Sequence, residues 1–313
     1  MVFAHRVAPV GTASAGWLPV PSSRLAFGRP IHLTTSLIIL ILAASGLSLD
    51  SPMVTTATCV AILLLGLPHG TFDLALIKRA HSTQRSPAIV ALYLFCGIVM
   101  YAVWQSAPEV ALLTFFVLSI IHFAEDWKDS LPPFLAHGTA TALLSAPVLL
   151  HQEAIGALFA RLVGNDASGL FVALAVLIAP VTLAIAAVAT VSLWIDQRQS
   201  DAAATAMALC ALIFLPPVVG FGLFFCLMHS PAQFAAAQRD LDWINSRQWA
   251  PAVVPLTFAA LGIAALIFAM SGTVSLTDTM IVTAFVTLSV LTLPHIVVPM
   301  MVNHLSCYRL RSV

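Results

Sequence analysis

Residues 131–150 read LPPFLAHGTATALLSAPVLL, and whether this stretch crosses a membrane sets the topology of everything around it. A helix needs about 20 apolar residues to cross a bilayer, so its length suffices. It opens on Pro132-Pro133, however, and carries His137-Gly138, which makes it the weakest of nine apolar stretches in the chain. The others are 32–49, 54–77, 88–107, 108–124, 167–195, 203–229, 250–272 and 279–305. The stretch 231–248 (PAQFAAAQRDLDWINSRQ) is too polar to span and is expected to lie along the interface.

Charge bias decides between nine spans and eight. Cytoplasmic loops collect Lys and Arg. With nine spans and a cytoplasmic N-terminus, Arg239, Arg247, Arg309 and Arg311 all fall outside. If 131–150 dips in and returns, or packs across the bundle, eight spans remain. Twelve of the thirteen Lys and Arg are then cytoplasmic, and only Arg198 is outside. The expected fold is therefore an all-α polytopic membrane protein of about eight transmembrane helices, with both termini cytoplasmic, in the inner (plasma) membrane.

Composition agrees with that class. Of 313 residues, 60% are hydrophobic and 8% charged, against about 25% charged in an ordinary soluble domain. A soluble fold of this length would lack the polar surface to cover its core. The formal net charge of zero gives no basic footprint for nucleic acid. Five scattered cysteines, none in a CxxC pair, argue against a disulfide framework or thiolate site. Residues 1–30 are rich in Pro, Gly and Ser without the apolar run of a cleavable signal, and read as a mobile tail before a single membrane domain, 31–313.

Ten histidines stand out against so few charges. On the eight-span topology His69, His122, His229 and His295 all lie near the cytoplasmic ends of inward-running spans, at one depth. On the nine-span topology they would be split between two faces. Carboxylates accompany them: Asp73 lies four residues after His69, and Glu125 and Asp126 lie three and four after His122. A neutral imidazole binds a cation, and a carboxylate on its other ring N–H fixes the tautomer. Ionisable groups at membrane depth are costly and mark function, and converging helix C-termini would favour a cation. Imidazole without thiolate suits iron, copper or zinc. His137 and His304 read as helix-packing and interfacial residues, and His5, His32, His81 and His151 as tail, helix-start or loop residues. Motifs of soluble enzymes such as GxGxxG, the P-loop, GxSxG and HExxH are absent.

Four runs carry a family resemblance: HGTFD (69–73), HFAED (122–126), FCLMHS (225–230) and LPH (293–295). In order and spacing, over roughly 54–305, the chain resembles the bacterial Brp/Blh family of β-carotene 15,15′-dioxygenases. The resemblance implies a non-haem Fe²⁺ held by His69, His122 and His229, O₂ as co-substrate, and central cleavage of β-carotene, or a related carotenoid taken from membrane lipid, to retinal. The family pattern has a further His four residues after the third; here that position is Gln233. The fourth ligand position falls to Gln233, His295 or water, with Asp73, Glu125 and Asp126 behind the ligands. Two other readings of the histidines are a proton or metal-ion transporter and a His-ligated haem electron carrier. A transporter would be expected to place carboxylates at the bilayer middle, and a haem carrier would need Arg near the propionates.

Overall fold

A computed structural model describes residues 28–80, 86–243, 245–272 and 275–311, with side chains described over 29–77, 87–243, 245–272 and 275–301. Most of the 1–30 tail, together with His5, His81 and the side chain of His304, lies outside the described residues. The described chain is all-helical.

Helix α1 (Gly28–Ala44) is followed by α2 (Pro52–Ala61), which runs through a widened π turn (Ile62–Gly66) and a 3₁₀ segment (Leu67–Phe72) into α3 (Asp73–Ala80). Pro68 is the cause of that interruption. It has no N–H for the carbonyl four residues back, and its ring clashes there, so the regular helix cannot pass. Helix α4 (Ser86–Ser106) and helix α5 (Pro108–Ala124) are joined at Ala107, and Pro108 starts α5 where its missing N–H costs nothing. A 3₁₀ turn, Glu125–Trp127, ends that span.

The 131–150 stretch forms α6 (Pro133–Ser145) and the start of α7 (Val148–Val163), and the two helices are bent 64° to each other. The pair is a broken span or a re-entrant loop, and it reaches to Val163, beyond the 131–150 expected to dip in and return. Gly138 is explained by packing: a Cβ there would sit 2.3 Å from Ile185 Cγ2 on α8 (Asn165–Ile195), so only glycine lets the two helices approach.

The expected span 203–229 is different. It breaks at Leu215-Pro216 into α9 (Gln199–Phe214) and α10 (Pro217–Phe224), because Pro216 and Pro217 lack N–H donors and the residue before a proline is pushed out of the helical region. Beyond α10 comes a second π turn, Phe225–His229, and then α11 (Ser230–Asp240). Residues 231–240 therefore extend a membrane-length stretch, Pro217–Asp240, rather than starting a separate interfacial helix. Helix α12 (Ser246–Met270), opened by an Asn245–Gln248 capping box, and helix α13 (Leu276–Arg311) complete the chain.

Seven helical stretches are long and apolar enough to cross a membrane, or eight if the bent α6–α7 pair counts as one span; α1, expected as a span over 32–49, is shorter than that. With rows of aliphatic side chains pointing outward along them (Ile98 is 68% exposed and Leu177 72%), this is a multi-pass membrane protein. Helix α13 is its axis, packed against α2, α4, α5 and α12. Indole N–H groups that would be orphaned inside find hydroxyls instead: Trp104 donates to Ser289 at 2.9 Å and Trp127 to Thr205 at 3.0 Å.

Candidate metal centre

The four histidines, separated in sequence by up to 226 positions, meet inside the bundle; among the described residues, His69, His122 and His229 offer ligand atoms that all lie within 4.8 Å of one another. His295 joins through His122, with the two Nε2 atoms 3.3 Å apart. On its other side the same His122 nitrogen is 3.1 Å from Nε2 of His229. His122 and His229 are buried, and His69 and His295 are partly so.

Proline shapes three of the four positions. Pro68 and Pro294 immediately precede His69 and His295, and Pro231 follows His229 by two. Around Pro68 the backbone carbonyls released from the helical ladder are reused. Leu65 O accepts from Ser230 Oγ at 2.8 Å, and Gly66 O accepts from Nδ1 of His69. A Cβ on Gly66 would lie 2.2 Å from the ring of Phe225, so any larger residue here has to displace that ring. That ring stacks on His229 and meets His69 edge-on. Widened turns of this kind sit where a side chain must be re-aimed.

Three of the four histidines have the outward nitrogen tied to an oxygen. His229 Nδ1 donates to Asp126 Oδ2 at 2.9 Å, and His295 Nδ1 donates to Asp73 Oδ2 at 2.6 Å. His122 has Glu125 at 3.7 Å, an ion-pair distance rather than a hydrogen bond. Carboxylates and carbonyls only accept, so the Nδ1 atoms of His69, His229 and His295 carry the protons. Their Nε2 atoms are then lone pairs. Those of His229 and His295 both face Nε2 of His122, which could donate to one of them only.

A cation resolves that clash of lone pairs, and the distances suit one. With metal–nitrogen bonds of about 2.1 Å, neighbouring ligand nitrogens lie about 3.0–3.4 Å apart in octahedral or tetrahedral geometry. The donor set fits a divalent transition metal of the imidazole-binding kind.

The expected carboxylates are present, but two are paired differently from their sequence neighbours. Asp73 reaches across to His295 on α13 rather than back to His69, because the 3₁₀ segment at 67–72 rotates it off the i, i+4 face. The helix-end argument also changes. His122 closes α5, but α11 continues past His229, and α13 past His295, so converging C-terminal dipoles are not what favours a cation here. Gln233 is not aimed at the cluster: its Nε2 donates to Asp126 Oδ1 at 2.8 Å. His32 lies beside Ser36 on α1, and His137 donates to Pro133 O. Tyr93 on α4 escaped the sequence reading. Its hydroxyl donates to Asp73 Oδ2 at 3.0 Å, and a lone tyrosine in an apolar span carries no signal of that role.

A cavity of about 450 Å³ adjoins the histidines and is otherwise almost wholly apolar. Its floor includes His69, His122, His295 and Tyr93, and Phe115 and Phe225 stand in its wall.

Fold and site together define a polytopic, all-helical membrane protein with a four-histidine centre beside an apolar cavity. The family model for β-carotene 15,15′-dioxygenase matches residues 60–303, and the chain belongs to that family. It is 25% identical over 253 residues to the β-carotene 15,15′-dioxygenase of an uncultured marine bacterium, covering 75% of this chain and 89% of the relative. To the probable β-carotene 15,15′-dioxygenase Blh of Halobacterium salinarum it is 28% identical over 304 residues, covering 82% of this chain and 86% of that one. No solved structure matches.

Proposed function

We propose that this protein is a non-haem iron dioxygenase that cleaves β-carotene, or a related carotenoid drawn from membrane lipid, at its central 15,15′ double bond to give retinal. O₂ is consumed and each aldehyde takes one of its oxygen atoms. The observation that carries the reading is the meeting of the His122, His229 and His295 lone pairs at metal-ligand spacing, beside an apolar cavity that His69, His122 and His295 line. His69, His122 and His229 would hold Fe²⁺, with His295 rather than Gln233 as fourth ligand. The iron, when bound, supplies O₂ binding and activation.

The chain's own residues do the rest. Asp126, Asp73 and the Gly66 carbonyl hold three imidazoles in the tautomer that presents Nε2 inward, which also raises their basicity as ligands. Phe225 and the aliphatic wall exclude water and present no charge, as a hydrocarbon substrate requires. Among the described residues no Lys or Arg lines the cavity to pair with a haem propionate or an anionic cargo. Residues 31–313 would form one membrane domain behind the 1–30 tail, in the inner (plasma) membrane, with both termini cytoplasmic.

Expression in a bacterium that makes β-carotene tests the activity. Loss of orange colour with retinal accumulating is the expected result. Persisting pigment and no retinal, with the protein well expressed in the membrane, would overturn it.

A further inference from the structure

The cavity has a shape that the histidines do not explain. On α4 its lining residues Val90, Tyr93, Leu94, Gly97, Ile98 and Tyr101 recur every three or four positions, forming one stripe along the helix. On α12 the stripe from Leu256 to Ile267 does the same. At 1.5 Å per residue each stripe is about 16 Å long. The two helices flank α13 and form the sides of a slot, with α13 as its back.

Two features give the slot a direction. Tyr93, hydrogen-bonded to Asp73, marks the histidine level. About 12 Å further along α4, by the same rise, the Tyr101 hydroxyl donates to Met270 Sδ at 3.6 Å and bridges the two sides. Along its length the slot is open outward. Leu94, Ile98 and Leu266 line it while remaining 57%, 68% and 60% exposed on the apolar outer surface.

We propose that this slot is a lipid-facing binding site for one arm of a long apolar polyene, entered sideways between α4 and α12. The Tyr101–Met270 contact is its stop. An arm lying against that stop sets which double bond rests at the histidines, so Tyr101 and Met270 determine where the chain is cut. This rests on the cleavage reading for the second half of the claim only. Occupation of the slot by a polyene does not require turnover.

Binding is therefore measured first, without oxygen, on the full-length protein in detergent, by the induced circular dichroism of all-trans-β-carotene. Ile98→Trp and Leu266→Trp fill the slot and should weaken binding about tenfold or more, which is about 1.4 kcal/mol or more. Leu177→Trp, equally exposed on α8 but far from the slot, is the control and should bind as the parent does. With oxygen admitted, Tyr101→Ala lengthens the slot and should convert part of the product from equal halves to unequal aldehydes, while Tyr101→Phe, which keeps the ring, should not. The proposal is overturned if the slot variants bind like the parent, if Leu177→Trp loses as much, if the parent binds no polyene, or if Tyr101→Ala cuts only at the centre. Intact binding with no cleavage by the parent would instead sink the proposed reaction and leave the binding site standing. Metal content and elution profile of each variant separate a filled slot from a misfolded protein.

Discussion

Gln233 and His229 share one carboxylate: Asp126 accepts from the amide on Oδ1 and from the imidazole on Oδ2. The side chain that stands where the family pattern has a histidine thus orients His229 from behind. Asp73 also joins two donors, but through one oxygen: Tyr93 and His295 both donate to its Oδ2. The cluster is thus held by two clamps, each a neutral donor, an aspartate and a histidine.

Gln233→Leu removes one clamp's outer donor. Losing such a partner typically lowers metal affinity about 10–100-fold. Chelator titration followed by metal analysis should place the variant in that range, and Gln233→Asn should recover little, because the shorter side chain cannot reach Asp126. Unchanged chelator resistance in Gln233→Leu would refute the clamp.

Tyr93→Phe tests the other clamp with the smallest change available. A hydrogen bond to a charged group is worth about 1.5–3 kcal/mol, and His295 remains as a donor to the same Asp73 Oδ2, so the loss falls toward the lower end. The expected result is a lower melting temperature and weaker metal retention, with the slot's shape kept. Equal loss of stability in metal-free parent and variant would assign Tyr93 to packing alone.

His122 is the hub, its Nε2 lying beside those of both His229 and His295. His122→Ala should abolish metal content, and His69→Ala likewise, with membrane insertion retained. His295→Ala leaves three histidines and should bind metal weakly. Full occupancy in His122→Ala would disprove the site.

Gly138→Ala and Gly66→Ala should both destabilise by overpacking, about 1–3 kcal/mol each. Only Gly66→Ala displaces Phe225, which lies against His229 and His69. Thermal melts in detergent should fall for both. Metal binding should fall for Gly66→Ala alone, and a parallel loss in Gly138→Ala would contradict that division.

For topology, a reporter fused after Val313 should give a cytoplasmic signal. A periplasmic one would defeat the eight-span arrangement drawn from the Lys and Arg distribution.

The convergence of His69, His122, His229 and His295 was legible in the sequence, because an imidazole inside an apolar run is conspicuous and four at one depth are more so. Their carboxylates were legible as a set, though not all in their pairing. The rule that neighbours four apart share a face holds for a regular helix, and Pro68 ends regularity between His69 and the preceding turn. Hydropathy alone also ran through Leu215-Pro216 as though it were continuous, since the residues on both sides are equally apolar. Tyr93 had no local mark at all; its role exists only once α4 lies against α3. The lipid-facing slot was likewise invisible, being made of ordinary aliphatic residues whose meaning is the gap between two helices.

The four histidines are supplied by the α2–α3 turn, α5, the α10–α11 turn and α13, the central helix. The cluster therefore forms only when elements far apart in sequence have packed together, and a metal held there would tie them to one another. Metal binding would then report on assembly of the whole bundle, favouring molecules in which all four elements have docked over those in which any one has not.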